Sequence, residues 1–154
     1  MPPNALSQAA YRELVLGVRI DKASFTLPAS ASGALFTIAG GRILLTSIYG
    51  EVTTLIQTQV CNAKLISTPT TGTAVDMCAV LDITADEVGC LYGITGLPSD
   101  ALVGTNAGLT QHMNRYLILP IGTINLNTSA TNTGATKWSM TYIPLDNGAS
   151  VVAA

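Results

Sequence analysis

The sequence has few charged residues: Asp, Glu, Lys and Arg make up 10% of its 154 residues, where about 25% is usual. The formal net charge is −2, and no stretch is rich in Lys or Arg. Because nucleic-acid binding requires a basic patch that neutralises phosphates, these features argue against a nucleic-acid partner. Uncharged polar residues must cover the surface instead, above all the 20 threonines, whose β-branched side chains suit pleated sheets.

Long apolar runs are also missing, although the mean hydropathy is +0.43. No run approaches the roughly 18 residues of a membrane-spanning helix. The N-terminus has neither the basic nor the apolar region of a signal peptide. We therefore expect no membrane partner and no signal peptide, and the high hydropathy with few charges indicates surface that partner subunits cover.

Cysteine is scarce, with an odd set and no CxxC spacing: Cys61, Cys78 and Cys90. Disulfide frameworks use even numbers of cysteines, and zinc sites use close pairs. We predict three buried or half-buried free thiols in a reducing compartment. No cofactor and no metal site is expected.

Residues that could support catalysis are sparse. The single histidine, His112, has Ser99 and Asp100 nearby in sequence, but no GxSxG elbow accompanies them. Gly40-Gly41 and the glycine-containing stretch from 96 to 108 lack the Lys-Ser or Lys-Thr of a phosphate loop. We predict a protein that is not an enzyme and has no small-molecule substrate.

Acidic residues cluster around Asp82, Asp86 and Glu87, without the glycine-punctuated spacing of a calcium loop. Asp76 lies six residues before Asp82, about 20 Å away along a strand, which is too far for a two-carboxylate site. We interpret these residues as a solvated rim. The pattern from Thr84 to Glu87 matches a capping box and predicts at most one helical turn.

The clearest structural signal is the alternation of apolar and mostly polar residues from Thr73 to Ile83. Val75, Met77 and Ile83 share one parity, while Asp76 and Asp82 share the other. Successive side chains of a strand point to opposite faces. The pattern therefore predicts one uninterrupted strand with its apolar face in a core.

Similar patterns predict most of the other elements. Leu14 to Ile20 alternates and predicts the first strand, which continues over Ser24 to Leu27 before Pro28. Further strands are predicted at 34–38, 42–49, 90–95 and 114–121, and a long bent strand at 52–66. Gly50 is expected to end one of them. Residues 123–127 and 137–143 are expected to form an antiparallel hairpin with a long polar tip.

About seven to nine strands without a useful amphipathic helix predict an all-β protein, namely an antiparallel β-sandwich. A jelly-roll-like or tulip-like arrangement leads, and a small closed barrel is the runner-up. Residues 1–10 are expected to be an N-terminal arm, residues 11–148 the sandwich domain and residues 149–154 a C-terminal tail. Because that tail is apolar and uncharged apart from its carboxylate, we expect it to pack on a neighbouring chain.

Trp138, Met140 and Tyr142 share one face of a predicted strand. Aromatic rings on a strand can stack on sugars or bases, but they more often fill a core. We predict a core position for both rings. A carbohydrate-binding sandwich with these rings exposed is a less favoured alternative.

Several long segments resemble a family of small virion proteins of tailed bacteriophages. The resemblance covers roughly residues 40–152, and it rests on the segments GGRILLTSIYGEVTTLIQTQ, TPTTGTAVDMCAVLDITADEVGCLYGITG, LPIGTINLNTSATNTGATKW and MTYIPLDNGASV. It implies a β-rich structural protein, most of all a head decoration or cement protein. Such proteins are often trimeric and sit on the outer surface of the capsid.

The resemblance implies two partners, further copies of the chain in a trimer and the major capsid protein, with assembly in the host cytoplasm. A tail-associated virion protein (tail tube, terminator or fibre-associated) is the alternative. The N-terminal arm, the C-terminal tail and a long loop at residues 96–111 are expected to make the contacts. The predicted partner-binding residues are Pro2, Pro3, Leu6, Tyr11, Leu97, Leu102, Val151 and Val152.

Overall fold

The computed structural model describes residues 7–106, 108 and 113–154. These residues form one helix and twelve strands. Their bounds are α1 Gln8–Leu16, β1 Val18–Thr26, β2 Ser32–Ala39, β3 Ile43–Thr54, β4 Asn62–Pro69, β5 Val75–Asp76, β6 Leu81–Asp82, β7 Leu91–Gly93, β8 Val103–Thr105, β9 Leu117–Leu119, β10 Gly122–Thr128, β11 Ala135–Pro144 and β12 Ser150–Ala153.

The strands form two antiparallel sheets that pack face to face. Sheet A has the order β1-β11-β3-β7-β8, and β9 pairs with the beginning of β3 while β7 pairs with its middle. Sheet B has the order β12-β2-β10-β4-β5, and β6 pairs with the opposite end of β4 from β5. The predicted all-β sandwich is therefore confirmed.

The strand order is that of a jelly roll. The chain alternates between the sheets from β1 to β4, stays in sheet B for β5 and β6, and alternates again from β9 to β12. This gives β1-β11-β3 followed by β7 and β9 in one layer, and β2-β10-β4 followed by β5 and β6 in the other. Two Greek keys of this kind make a jelly roll, and β12 extends the second layer at its free edge.

The core lies between the sheets and contains the rings predicted to be buried. Trp138, Met140 and Tyr142 are 1%, 0% and 5% exposed. The Trp138 ring stacks on Tyr92 with ring centroids 6.3 Å apart, and the indole N–H donates to the Thr136 hydroxyl at 3.0 Å. The core interpretation is confirmed, and the carbohydrate-binding alternative loses the exposed rings on which it depended.

The prediction that Gly50 ends a strand is wrong, because Gly50 lies within β3. It pairs with Trp138 on one side and with Tyr92 on the other. A Cβ atom at this position would lie 2.7 Å from the Trp138 ring. The two rings meet above Gly50 because it has no side chain, so this glycine is a packing requirement and not a turn signal.

The uninterrupted strand predicted from Thr73 to Ile83 is wrong. The segment pairs with β4 at each end, as β5 and β6. In between, the Ala79 N–H donates to the Asp100 carbonyl at 2.7 Å, so the chain turns toward another segment. Consecutive Met77 and Cys78 are both buried, which breaks the alternation that a flat strand would keep.

The predicted hairpin between residues 123–127 and 137–143 is also wrong. Strand β10 lies in sheet B between β2 and β4, while β11 lies in sheet A between β1 and β3. The polar connection between them crosses from one layer to the other. Similarly, the predicted strand at 52–66 is two strands, β3 and β4, which belong to different sheets.

The N-terminal prediction is wrong for residues 14–16, which belong to α1 and not to a strand. The Ser7 side chain accepts a hydrogen bond from the Ala10 N–H at 3.1 Å and caps the helix. At the other end Gly17 adopts φ +89°, and its N–H donates to the Glu13 carbonyl at 2.9 Å. The strand begins only after this glycine.

The C-terminal tail belongs to the sandwich, contrary to the expectation that it packs on a neighbouring chain. Residues Ser150–Ala153 pair with β2 as strand β12. Val151 is 3% exposed, and its N–H donates to the Tyr142 hydroxyl at 3.2 Å. The apolar character of the tail reflects burial in its own core.

Candidate interaction surface

Helix α1 leaves three of its large apolar side chains exposed. None of its described residues is buried, and Tyr11, Leu14 and Val15 are 56%, 76% and 71% exposed. At 3.6 residues per turn these three side chains lie within roughly 100° of arc. We call them the α1 stripe. Such a stripe normally faces a core, but here no side chain of the stripe is buried by the part of the chain that the structure describes.

The helix is nevertheless held in place at its C-terminal end. The Leu16 carbonyl accepts a hydrogen bond from the Thr46 hydroxyl of β3. Gly17 lies so close to β11 that a Cβ atom would be 2.1 Å from the Tyr142 carbonyl oxygen. The α1 stripe is therefore presented on an anchored helix.

The side of α1 that faces its own domain is marked by Ala10 and Leu16, which are half-buried. The charged residues Arg12 and Glu13 are exposed, as are the three side chains of the α1 stripe. The stripe therefore lies on the solvent side of the helix.

An apolar row continues this surface across the outer face of sheet A. Ile143 of β11 pairs with Leu44 of β3, which pairs in turn with Ile118 of β9. Ile143 and Ile118 are 40% and 63% exposed, and Leu44 is half-buried. The outer face of a sandwich is usually polar, so these three residues, the outer row, mark an unusual place on the sheet.

Beyond Ile118 the row opens into an apolar groove between β9 and the β4–β5 edge of sheet B. The groove has a volume of about 270 Å³. Val75, 60% exposed, lies in it, and the Asp76 carboxylate beside it pairs with Lys64 at 2.7 Å. The further lining residues are Ser67, Pro69, Thr73, Met77, Pro98, Leu117, Leu119 and Pro120.

The structure divides the predicted partner-binding residues into three groups. Tyr11 is part of the α1 stripe, Val152 is 58% exposed on β12, and Leu97 is half-buried beside the groove residue Pro98. Leu102 and Val151 are 1% and 3% exposed, so we correct their assignment: their side chains fill the core and are closed to a partner. Pro2, Pro3 and Leu6 lie outside the described residues.

Sequence reasoning missed most of the residues that make up this surface. Leu14 and Val15 follow Tyr11 at helical spacing, a signal that was present but was outweighed by the alternation of Leu14, Leu16 and Val18. The exposure of Ile118 and Ile143 carried no signal, because a strand reveals which residues share a face but not which face is covered.

The cysteines form no reactive site. All three are free and buried. Burial raises the pKa of the Cys78 thiol to about 11, and burial together with the charge of Asp86 raises the pKa of Cys90 to about 11. Since the thiolate is the nucleophile, these two side chains are inert near neutral pH. The prediction of free buried thiols is confirmed.

Two acidic residues near the turn after β6, Asp82 and Asp86, accept hydrogen bonds from side chains close by. The Asp82 carboxylate accepts hydrogen bonds from both the hydroxyl and the amide of Thr84, which lower its pKa. The Asp86 carboxylate accepts from the Tyr92 hydroxyl at 2.6 Å. Thr84 thus stabilises the turn through its hydrogen bonds to Asp82, and no helix begins there. Within the described ranges no three His, Cys, Asp or Glu side chains gather into a potential metal group.

A Ser-His-Asp site made of Ser99, His112 and Asp100 is not tested by the structure. His112 lies outside the described residues. The Asp100 carboxylate accepts from the Thr95 hydroxyl at 2.7 Å and so belongs to a local turn.

Among the described residues, no helix has the length and apolar character needed to cross a bilayer. No protein-family model, curated protein or solved structure matches the chain. The candidate site is therefore defined by its own geometry: the α1 stripe, the outer row and the groove.

Proposed function

We propose that this chain is a non-enzymatic structural protein of a tailed-phage virion, and that it decorates and stabilises the head. In this proposal copies of the chain associate with one another, as a trimer, and with the major capsid protein on the outer surface of the capsid. They assemble in the host cytoplasm, a reducing compartment in which cysteine thiols stay free.

The observation that carries the proposal is the outward-facing α1 stripe and the apolar surface that continues from it. A nine-residue helix is marginal in water without tertiary packing, and exposed contiguous apolar surface marks an interaction site. In a free monomer, an anchored helix with its apolar side outward would expose that side to water without benefit. In a subunit of an assembly, the same side can pack on a neighbour.

The fold and the surface composition support the same role. Jelly rolls occur in viral capsid domains and also in lectins, so the fold alone does not decide between functions. The assignment to a phage virion rests on the sequence resemblance. With 10% charged residues, the exterior is weakly ionised, which suits surface that neighbouring subunits cover.

The proposed mechanism is mechanical. Each copy makes modest apolar contacts, and many copies linked over one shell act together through multivalency. The three cysteines are free, so in this proposal the buried core and the sheet pairing hold each unit together without disulfide cross-links. No chemical step is required.

The test is to mix purified protein with undecorated phage heads and to measure bound copies and head stability. We expect saturable binding and a higher temperature of head disruption. Leu14→Glu places a charge in the α1 stripe at a residue that is 76% exposed, so it should weaken binding while leaving the fold intact. Val88→Glu, at a residue 62% exposed on a turn between β6 and β7, is the matched control and should bind normally.

Absence of binding to heads, with the protein folded, would overturn the assignment to the head. Electron microscopy of gold-labelled virions then separates head from tail, because label on the tail would favour the tail-associated alternative.

A further inference from the structure

We propose that α1 of one copy packs across the outer row and the groove of a second copy, so that the chain supplies both halves of its own assembly contact. This inference deepens the self-association part of the proposed function and names the surfaces that meet. It does not depend on which particle the protein belongs to.

The exposed apolar area of the two surfaces can be compared with that of known interfaces. Full burial of an aliphatic side chain removes roughly 60–120 Å² from water, and an aromatic side chain 150–250 Å². Scaled by the exposed fractions of Tyr11, Leu14, Val15, Val75, Ile118 and Ile143, the apolar area on offer is on the order of 400 Å². A standard interface buries about 800 Å² per partner, of which somewhat over half is apolar. Tyr11, Leu14 and Val15 lie on one partner and the other three residues on the second, so a single contact removes only roughly 150–250 Å² of apolar surface from each partner. This is the size of a weak contact that becomes stable when it is repeated around an assembly.

The α1 stripe and the outer row also have compatible shapes. The α1 stripe is convex and extends about 6 Å along the helix axis from Tyr11 to Val15. The outer row crosses three neighbouring strands and so extends about 10 Å, with the groove at its far end. A short helix laid across the strands matches this length, and its largest side chains have a recess to enter.

The two surfaces offer no free charge to a charged partner. No charged residue lies within the stripe, since Arg12 and Glu13 fall outside its arc. The Asp76 carboxylate at the groove is already paired with Lys64. A peptide or nucleic acid with its own charges would meet nothing complementary in the stripe, the outer row or the groove, whereas the α1 stripe of a second copy brings only Tyr11, Leu14 and Val15.

The contact is heterologous, because the helix of one copy meets the sheet of the next. Repetition of such a contact closes into a ring when the rotation permits, as in a trimer, and otherwise continues as a chain. The helix stays anchored at Gly17 and Leu16 while its stripe faces outward. Each copy can therefore insert its own helix into one neighbour while its outer row and groove bind the helix of another.

Disulfide trapping between two single-cysteine variants tests the proposal. Leu14→Cys and Ile118→Cys are prepared with tags of different mass, mixed at micromolar concentration and oxidised mildly. The three native cysteines are buried and give little background. We expect a disulfide-linked heterodimer in the mixture, and at least about tenfold less homodimer from either variant alone.

Val88→Cys mixed with Ile118→Cys is the control for random collision, because Val88 is similarly exposed at 62% and lies outside the proposed contact. A heterodimer yield no higher than in this control would overturn the proposal. Equally strong cross-linking of Leu14→Cys with itself would also overturn it, because two stripes would then face each other. In the double variant Leu14→Cys/Ile118→Cys, an intramolecular disulfide in a monomer at high dilution would show that the helix folds onto its own sheet.

Self-association itself gives an independent readout. Sedimentation of Leu14→Glu should show self-association weakened about tenfold or more, with Val88→Glu unchanged. If the disulfide forms but the protein does not bind heads, the contact is retained and the head assignment is overturned. If a monomer binds heads and no disulfide forms, the head assignment is retained and the contact is overturned.

Discussion

Two single residues determine close contacts in this molecule, Gly50 through its missing side chain and Asp146 through its hydrogen bonds. Gly50 lacks a side chain where Trp138 and Tyr92 stack. Asp146 accepts hydrogen bonds from the side chain and the amide of Arg42 and so connects the turn before β12 to the start of β3. Both positions make quantitative predictions.

Gly50→Ala should destabilise the protein by about 1–3 kcal/mol, the usual cost of overpacking a core. The added Cβ would lie 2.7 Å from the Trp138 ring, so ring and strand must separate. Urea unfolding measures the loss. Combining Gly50→Ala with Trp138→Phe should cost less than the sum of the single changes, because the smaller ring leaves room. Simple additivity would show that the ring is not the obstacle.

Asp146→Asn should lower the melting temperature at neutral pH, by an amount that shrinks as the pH falls. Hydrogen bonds from Arg42 lower the pKa of Asp146 below its ordinary value, which is about 3.9 in the unfolded chain. A carboxyl with a lowered folded pKa stabilises fully above the unfolded pKa and loses that effect as the pH falls through the folded pKa.

Calorimetry of both proteins from pH 7 to pH 2 measures this dependence. Glu87→Gln is the control, since the exposed Glu87 carboxylate makes no hydrogen bond or ion pair within the described part of the chain, and its effect should not vary in the same way. A constant difference between wild type and Asp146→Asn across the whole range would contradict the ion-pair explanation.

At the scale of elements, the two ends of the chain play opposite parts. Strand β12 completes the edge of sheet B and buries Val151, whereas none of the described residues of α1 is buried. The C-terminal element thus stabilises the fold, and the N-terminal element is available for a partner.

Neighbouring valines in β12 offer a matched test of this role. Val151→Ala removes buried methyl groups and should cost about 1–3 kcal/mol of unfolding free energy. Val152→Ala changes a residue that is 58% exposed and should stay within about 0.5 kcal/mol. Urea titration of both variants decides the matter, and equal effects would mean that β12 does not dock as described.

At the scale of the whole molecule, the jelly roll joins strands that are distant in sequence. Strand β1 pairs with β11, and β2 pairs with both β10 and β12. Such long-range pairing forms slowly because the chain must close large loops before the contacts form. The architecture therefore predicts slow folding as well as a stable core.

We expect refolding over milliseconds to seconds, as in other sheet proteins dominated by distant contacts. Trp138 is the only tryptophan and is 1% exposed, so stopped-flow fluorescence reports directly on core formation. Leu14→Glu should refold at the same rate, since the α1 stripe contributes nothing to the core. Refolding within microseconds would contradict the strand pairing.

The sequence by itself determined the class of the fold, the burial of Trp138, Met140 and Tyr142, and the free thiols. Alternation of apolar and polar residues, few charges and isolated cysteines are local features, and they were sufficient for those conclusions. They also gave the correct positions of short strands such as β2 and β7.

Only the tertiary structure decided which strands pair and which apolar residues remain exposed. The bend at Ala79, the separation of β10 from β11 and the tight fit at Gly50 all depend on contacts between segments far apart in sequence. Leu14, Ile118 and Ile143 are apolar like any core residue, and Val151 looks no different from Val152. Their exposure is set by what the rest of the fold covers, because hydrophobicity identifies residues that favour burial but not the partner that buries them.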